Sequence, residues 1–111
     1  MANCIVIVQF DLPKRTQEQA IAGGTGSAPI YRGLAGKGLI RKDYLNGETG
    51  TGGVYLWESR AAAEAWFTEA RIADLTKRFG ARPRLTWYDT HVTVDNKAGE
   101  TRVNGKALAE A

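Results

Sequence analysis

The sequence predicts an α+β fold whose elements follow the order β-α-β-β-α-β. A short β-branched apolar run opens the chain, and two strand-like runs separated by turn formers lie near its middle. Two helical patterns alternate with these strands, and a last alternating run follows the second helix. This order predicts a four-stranded antiparallel sheet with both helices on one face, the ferredoxin-like arrangement.

The first strand and the first helix lie within the first third of the chain. Residues 5–10, IVIVQF, form the apolar run expected of a strand buried on both faces, and Pro13 ends it. Thr16 is placed to cap a helix. The glycines within residues 23–26 each cost about 1 kcal/mol relative to alanine in a helix. We therefore expect this helix to break there and a second piece to start after Ser27.

Turn formers separate the two middle strands. Residues 39–45 and 53–57 are strand-like, and the intervening NGETGTG predicts a β-hairpin with a flexible tip. The last strand is predicted over residues 85–94 by its alternating pattern.

The second helix is predicted to be kinked. Ser59 is placed to cap it, and Gly80 ends it. Its apolar residues lie on two nearly opposite faces, which a straight helix cannot bury against one sheet. We therefore expect a kink near Thr68 and Glu69, with Thr68 capping the second piece.

Length and composition indicate one globular domain. The chain has 111 residues, of which 43% are hydrophobic and 24% charged, and we place the domain at residues 1–96. Residues 97–111 are polar and rich in Gly and Ala, so we expect a flexible C-terminal tail, with a loose strand at residues 101–103.

Charge and cysteine content exclude several classes of function. The net charge of +3 is spread along the chain, so we expect no nucleic-acid partner, and no apolar run is long enough for a membrane. One cysteine excludes an intramolecular disulfide and favours a cytoplasmic location. One cysteine and one histidine are too few for a zinc site, and no flavin or nucleotide signature is present, so we expect no metal and no cofactor.

The sheet is predicted to be apolar on both faces. Tyr55 and Trp57 point to one face while Val54 and Leu56 point to the other, and neither pair is polar. Helices on one face would leave the other in water, and large apolar patches usually mark an interface. We therefore expect a homodimer in which two sheets face each other.

Four segments carry a resemblance to a known family. They are IVIVQFDLP, SAPIYRG with GLIRKDYL, GGVYLWESRAAAEAWF, and VTVDN. Together they resemble the YdhR-like monooxygenases of the dimeric α+β barrel superfamily, which also contains the antibiotic-biosynthesis monooxygenases. The resemblance covers about residues 5–96. It implies a ferredoxin-like dimer, a cleft between helices and sheet, and oxidation of a phenolic or polycyclic aromatic substrate by O₂ without a cofactor.

The resemblance also suggests roles for two tryptophans. Trp57 matches a tryptophan that closes the third strand in related domains, and Trp66 stands where many of them carry a histidine directed to the cleft. An indole offers a flat wall and one N–H donor but cannot act as a base. Trp66 is therefore a candidate for holding an aromatic substrate. The alternative is that both indoles are core or interface residues.

Arg41 and Lys42 are the candidate cations. Neighbouring strand residues point to opposite faces, so one should reach the helix side and the other the dimer side. Either could stabilise a phenolate or an oxyanion in the cleft, or form a structural ion pair.

Tyrosine, phenylalanine and histidine side chains complete the candidate site. Tyr31 and Tyr44 could donate hydrogen bonds to a substrate oxygen, or be core residues. Tyr55 and Phe67 are further candidates for substrate binding. His91 is the only histidine and a candidate general base, the alternative being a surface or interface residue.

Two functions from different classes remain open. One is a cofactor-independent monooxygenase acting on a small aromatic molecule. The other is a non-catalytic dimeric module of the same fold that binds a small molecule. The sequence shows no obvious base near the two tryptophans. A base is needed by the monooxygenase but not by the binding module, so this feature distinguishes the two functions. Cys4 is expected to be a small buried hydrophobic residue, since no basic group precedes or follows it closely.

Overall fold

The computed structural model describes residues 2–109 as an α+β fold with a four-stranded antiparallel sheet, three helices and a smaller second sheet. The elements are β1 (Asn3–Phe10), α1 (Gln17–Arg32), a 3₁₀ turn (Ala35–Lys37), β2 (Leu39–Gly47), β3 (Gly50–Trp57), α2 (Arg60–Trp66), α3 (Glu69–Phe79), β4 (Arg84–Thr90), β5 (Val92–Asp95), β6 (Glu100–Val103) and β7 (Lys106–Ala107). The strand orders are β2-β3-β1-β4 and β5-β6-β7. The predicted α+β class and four-stranded sheet are confirmed. None of the helices within residues 2–109 has the length and apolar content that a membrane crossing requires.

The core lies between the helices and one face of the larger sheet. Alternate residues of the central strand β1 are buried there, among them Val6 and Val8, and they face Tyr55 and Trp57 of β3. Burial of each large apolar side chain contributes about 1.5–3 kcal/mol. Because side chains alternate along each strand, this burial determines which side chains of β2 and β3 point toward the helices.

The first helix is continuous, so the predicted break within residues 23–26 is wrong. The N-terminus is held by a capping box: Thr16 Oγ1 accepts from the Gln19 N–H at 3.1 Å, and Gln19 Oε1 accepts from the Thr16 N–H at 3.0 Å. Gly24 lies against the ring of Tyr44. Ser27 does not start a second piece, since its hydroxyl donates to Gly24 O within the helix. Capping and tertiary contact offset the low helix propensity of the glycines.

The predicted hairpin is confirmed, but its tip is shorter than predicted. β2 and β3 pair as far as Gly47 and Gly50, so only Glu48 and Thr49 lie in the turn. Gly50 and Gly52 have φ of +143° and +155°, and a Cβ atom on either would collide with a backbone carbonyl of β1. These glycines extend the strand because they allow β1 to approach closely.

The predicted kink of the second helix is confirmed. α2 ends at Trp66, and α3 begins after Thr68, whose Oγ1 accepts from the Arg71 N–H at 3.2 Å. Ser59 caps α2 in the same way, and Gly80, in the left-handed region at φ +77°, ends α3.

The last predicted strand, residues 85–94, is divided in the structure, and its continuity was predicted wrongly. β4 ends opposite the first residue of β1, where Thr90 pairs with Asn3, so the chain beyond it has no strand of the larger sheet to pair with. It pairs instead with β6, which confirms the strand predicted at residues 101–103. Arg102 of β6 joins the two strands through an ion pair with Asp95 of β5, and it also pairs with Glu100 of its own strand.

The β5–β6 pairing spans the predicted domain boundary after Asn96. That boundary and the flexibility of the tail stay predictions, and residues 110–111 of the tail lie outside the described part of the chain.

Candidate functional site

A cavity of about 270 Å³ lies between the helices and the core-facing side of β1, β2 and β3. Its walls come from α1, from the C-terminal end of α3 and from the three strands. Tyr31, Lys42, Tyr44 and Tyr55 all line it. The structure thus brings together four of the residues that the sequence singled out.

Lys42 reaches the cavity because of its register on β2. It pairs with Tyr55 of β3, which faces the helices, while its neighbours Arg41 and Asp43 pair with residues of the opposite face. Gly53 makes room for the lysine stem, since a Cβ atom there would lie 2.9 Å from Lys42 Cε. The prediction that Arg41 and Lys42 reach opposite faces is confirmed.

The ammonium group of Lys42 is surrounded by aromatic rings. Its Nζ lies 3.4 Å from the ring centroid of Tyr31, 4.1 Å from that of Tyr44 and 4.6 Å from that of Tyr55. Within residues 2–109 no carboxylate lies within 4 Å of it. Burial lowers the pKa of Lys42 to about 7, although each ring face favours the charged form. The charged and neutral amine are therefore both populated near neutral pH.

The tyrosine hydroxyls supply the other polar groups of the site. Tyr55 donates to the Tyr31 hydroxyl over a long 3.5 Å, and the Tyr44 hydroxyl lies 2.7 Å from Ser27 Oγ. Burial, together with the neighbouring Tyr31, raises the pKa of Tyr55. Tyr55 therefore remains a neutral phenol that can donate a hydrogen bond.

Trp57 and Phe67 lie in the core behind the cavity and do not line it. Trp57 is fully buried and stacks on Tyr55 with ring centroids 6.4 Å apart, while Phe67 meets Tyr55 edge-on at 5.0 Å. Both fix the position of the Tyr55 ring. Substrate contact by either residue would require the cavity to extend past Tyr55.

Trp66 also lies outside the cavity lining. Its ring meets Tyr31 at 6.2 Å, and the guanidinium of Arg71 stacks on it with Cζ 3.3 Å from a ring centroid. Trp66 thus contacts the back of Tyr31, the ring nearest the Lys42 amine. In this geometry it supports the site rather than lining it.

The structure does not bring Arg41 and His91 into this cavity. Arg41 lies on the opposite face of the sheet, exposed, with Nε 2.7 Å from Asp43 Oδ2. His91 is exposed in the link between β4 and β5, and its Nδ1 lies 3.0 Å from Asn104 Oδ1. Neither residue lines the cavity.

Two arginines that the sequence did not single out do line the cavity. Arg15 enters from the loop before α1, and Arg78 lies in the last turn of α3. Arg15 carries no sequence signal, because only the fold brings its loop to the end of β2. A cation in the last turn of a helix is expected from the helix dipole alone, so Arg78 carries no distinct signal either.

The buried thiol of Cys4 is separate from this site. Cys4 is fully buried on β1, as predicted, and burial raises the pKa of its thiol. Within the part of the chain that the structure describes, no three His, Cys, Asp or Glu residues are grouped as metal ligands would be.

Comparison with known proteins adds no further assignment. No protein-family model and no curated protein matches this chain. The functional interpretation therefore depends on the geometry of the cavity.

Proposed function

We propose that this chain is a cofactor-independent monooxygenase that oxidises a phenolic or polycyclic aromatic molecule with O₂ in the cavity beneath its helices. One observation carries the proposal: an amine that is partly neutral at physiological pH, Lys42, lies among tyrosine rings on the cavity wall. This amine is the base that the sequence did not reveal. The aromatic walls suit a flat, electron-rich substrate.

The chemistry requires a substrate anion, because an anion donates an electron to O₂ far more readily than its neutral parent. Neutral Lys42 accepts a proton from an activated C–H or O–H group, and the ammonium then stabilises the anion. For a CH₂ carbon, a C–O bond forms with O₂, and Lys42 returns its proton to the peroxide anion. Loss of water then breaks the O–O bond and leaves a carbonyl. One oxygen atom enters the product and the other enters water, so O₂ is the only oxidant.

The tyrosines have separate roles in this proposal. Tyr31 and Tyr44 hold the amine and form two walls, while the neutral Tyr55 hydroxyl turns from its long hydrogen bond with Tyr31 to donate to a substrate oxygen. The core residues behind them, Trp57 and Phe67, keep Tyr55 in position.

A non-catalytic dimeric module that binds a small molecule is the second candidate. One observation favours it: the three rings that surround Lys42 stabilise its ammonium form without any ligand. In that case the cavity binds an aromatic molecule but transfers no proton.

Oxygen uptake with anthrones and hydroquinones tests the enzyme function. We expect turnover whose kcat/KM rises with pH through about 7, the pKa of Lys42, because the neutral amine is the active form. Lys42→Met should lower kcat/KM by about 100-fold or more, the usual contribution of a general base. Lys97→Met, which removes an exposed lysine in the β5–β6 turn, is the matched control and should leave it unchanged. Binding without oxygen uptake above background would favour the second candidate.

The proposal includes a ferredoxin-like homodimer of the dimeric α+β barrel type. It is supported by the order β2-β3-β1-β4 and by the apolar residues Ile5, Ile7, Val54 and Leu56 in the middle of the second face of that sheet. Two rows of paired residues cross this face: Tyr88, Ile5, Leu56 and Arg41, then Thr86, Ile7, Val54 and Asp43. Tyr88 is 52% exposed in the single chain. A second copy packed on these rows would remove their apolar atoms from water.

A further inference from the structure

The cavity is basic, and its cations lie at two different ends. Arg15, Lys42 and Arg78 are the charged residues of the lining, and no Asp or Glu lines it. For these three cations no carboxylate lies within 4 Å among residues 2–109, although Asp74 precedes Arg78 by one helical turn. Three like charges around one cavity repel one another, so an anion bound there would be stabilised.

Strand register separates the two ends. Lys42, Tyr55 and Val6 form one row across the sheet, and Asn46, Thr51 and Phe10 form another. The rows are four residues apart on β2, which corresponds to about 13 Å of strand. We call them the amine end and the arginine end.

Both arginines belong to the arginine end. The side chain of Asn46 clamps the Arg15 backbone, with the Arg15 N–H donating to Asn46 Oδ1 at 2.8 Å and Asn46 Nδ2 donating to Arg15 O at 2.9 Å. Arg78 precedes Phe79, whose ring packs on Phe10 with centroids 4.9 Å apart. Both arginines are therefore anchored near this end of the strands, and both line the cavity from different elements.

Gly23 of α1, which has no side chain, leaves room for the Arg15 side chain. A Cβ atom at this position would lie 2.7 Å from Arg15 Nη1, so a larger residue would shift the flexible end of the Arg15 side chain. Alanine would otherwise favour the helix. The glycine thus lowers the helix propensity of α1, but it lets the Arg15 side chain lie beside the cavity.

We propose that the ligand of this cavity is an extended aromatic carboxylate, with its carboxylate at Arg15 and Arg78 and its phenolic end at Lys42. Guanidinium groups match the planar carboxylate through paired N–H donors. The separation of about 13 Å between the two ends fits a molecule of two or more fused rings rather than one. The phenolic orientation rests on the proposed oxygenase function, whereas the recognition of the carboxylate does not.

Calorimetric titration of the full chain with 6-hydroxy-2-naphthoate and with neutral 2-naphthol tests the proposal. We expect the carboxylate to bind about tenfold or more tightly than the naphthol, a difference that shrinks at high salt. The double variant Arg15→Gln/Arg78→Gln should lose this preference while keeping its affinity for naphthol. Arg82→Gln, an exposed arginine that pairs with Glu69 outside the cavity, is the matched control and should keep the preference.

Gly23→Ala provides a second variant that is not expected to unfold the protein. It should weaken carboxylate binding several-fold while its thermal unfolding temperature stays equal or rises. Equal affinity for the two ligands, or an unchanged preference in the double arginine variant, would overturn the proposal. Oxygen uptake measured in parallel separates the two proposals: a carboxylate preference without turnover leaves this inference standing and removes the oxygenase.

Discussion

Lys42 makes the stability of the protein depend on pH in an unusual direction. The unfolded lysine keeps its proton up to about pH 10.4, whereas burial in the folded state lowers the pKa to about 7. Between these values the unfolded chain binds one proton more than the folded chain. The contribution of Lys42 to the free energy of unfolding therefore rises with pH across this window and is most unfavourable below pH 7.

We expect the stability gained by Lys42→Met to be largest below pH 7 and to shrink toward pH 10. The slope of this difference should reach at most about 1.4 kcal/mol per pH unit, the limit for one proton. Urea unfolding of both proteins at several pH values measures it. The pH dependence of unfolding of Lys97→Met should run parallel to that of the wild type. A parallel curve for Lys42→Met would contradict the lowered pKa of the half-buried amine.

At the level of single residues, the sequence predicted which strand residues share a face, but neither which face meets the helices nor which side chains lie together. Strand periodicity was enough to predict that Lys42 and Arg41 point to opposite faces of the sheet, and likewise Tyr55 and Leu56. It could not show that three tyrosines from different elements surround one amine. That cluster depends on the register of β2 with β3 and on the path of α1, and both are tertiary properties.

At the level of elements, glycine was the residue whose role was hardest to predict. Local propensity treats glycines 23–26 as a helix break and glycines 47–52 as a flexible turn. In the fold the first group lies inside α1, and most of the second lies in paired strands. The kink at Thr68 was predictable because it follows from two conflicting apolar faces and a capping residue within the same helix.

Two glycine-to-alanine substitutions should change stability in opposite directions. Gly26 lies inside α1 with open space around its Cα, so Gly26→Ala should raise the free energy of unfolding by up to about 1 kcal/mol. Gly52→Ala should lower it by more than about 1 kcal/mol, because its φ is +155° and the new methyl group would collide with Val8 O. Denaturant unfolding of both variants checks this. A Gly52→Ala protein as stable as the wild type would show that β3 is not held this close to β1.

At the level of the whole molecule, the second face of the larger sheet controls the assembly that we propose. Leu56 lies in the middle of this face, paired with Ile5 and Arg41. Val92 and Val94 of the smaller sheet are exposed. Both sheets thus present apolar side chains that the single chain leaves partly in water.

We expect the wild type to have the mass of two chains in solution and Leu56→Asp to have the mass of one. A carboxylate at position 56 would be desolvated in the dimer, and Arg41 opposite it is already paired with Asp43, which disfavours association. Ala65→Asp, on the exposed side of α2, is the matched control and should remain dimeric. Size-exclusion chromatography with light scattering gives the masses, and circular dichroism checks that Leu56→Asp is folded. A monomeric wild type would contradict the proposed assembly.

Cys4, the only thiol of the chain, is placed so that its reactivity reports opening of the core. It lies on β1, fully buried in the core between the sheet and the helices, so a water-soluble thiol reagent can reach it only after this core opens. The rate at which Cys4 is labelled under native conditions therefore measures how often the core opens. No added probe is needed, and the labelled residue lies on the strand whose loss would dismantle the wall of the cavity.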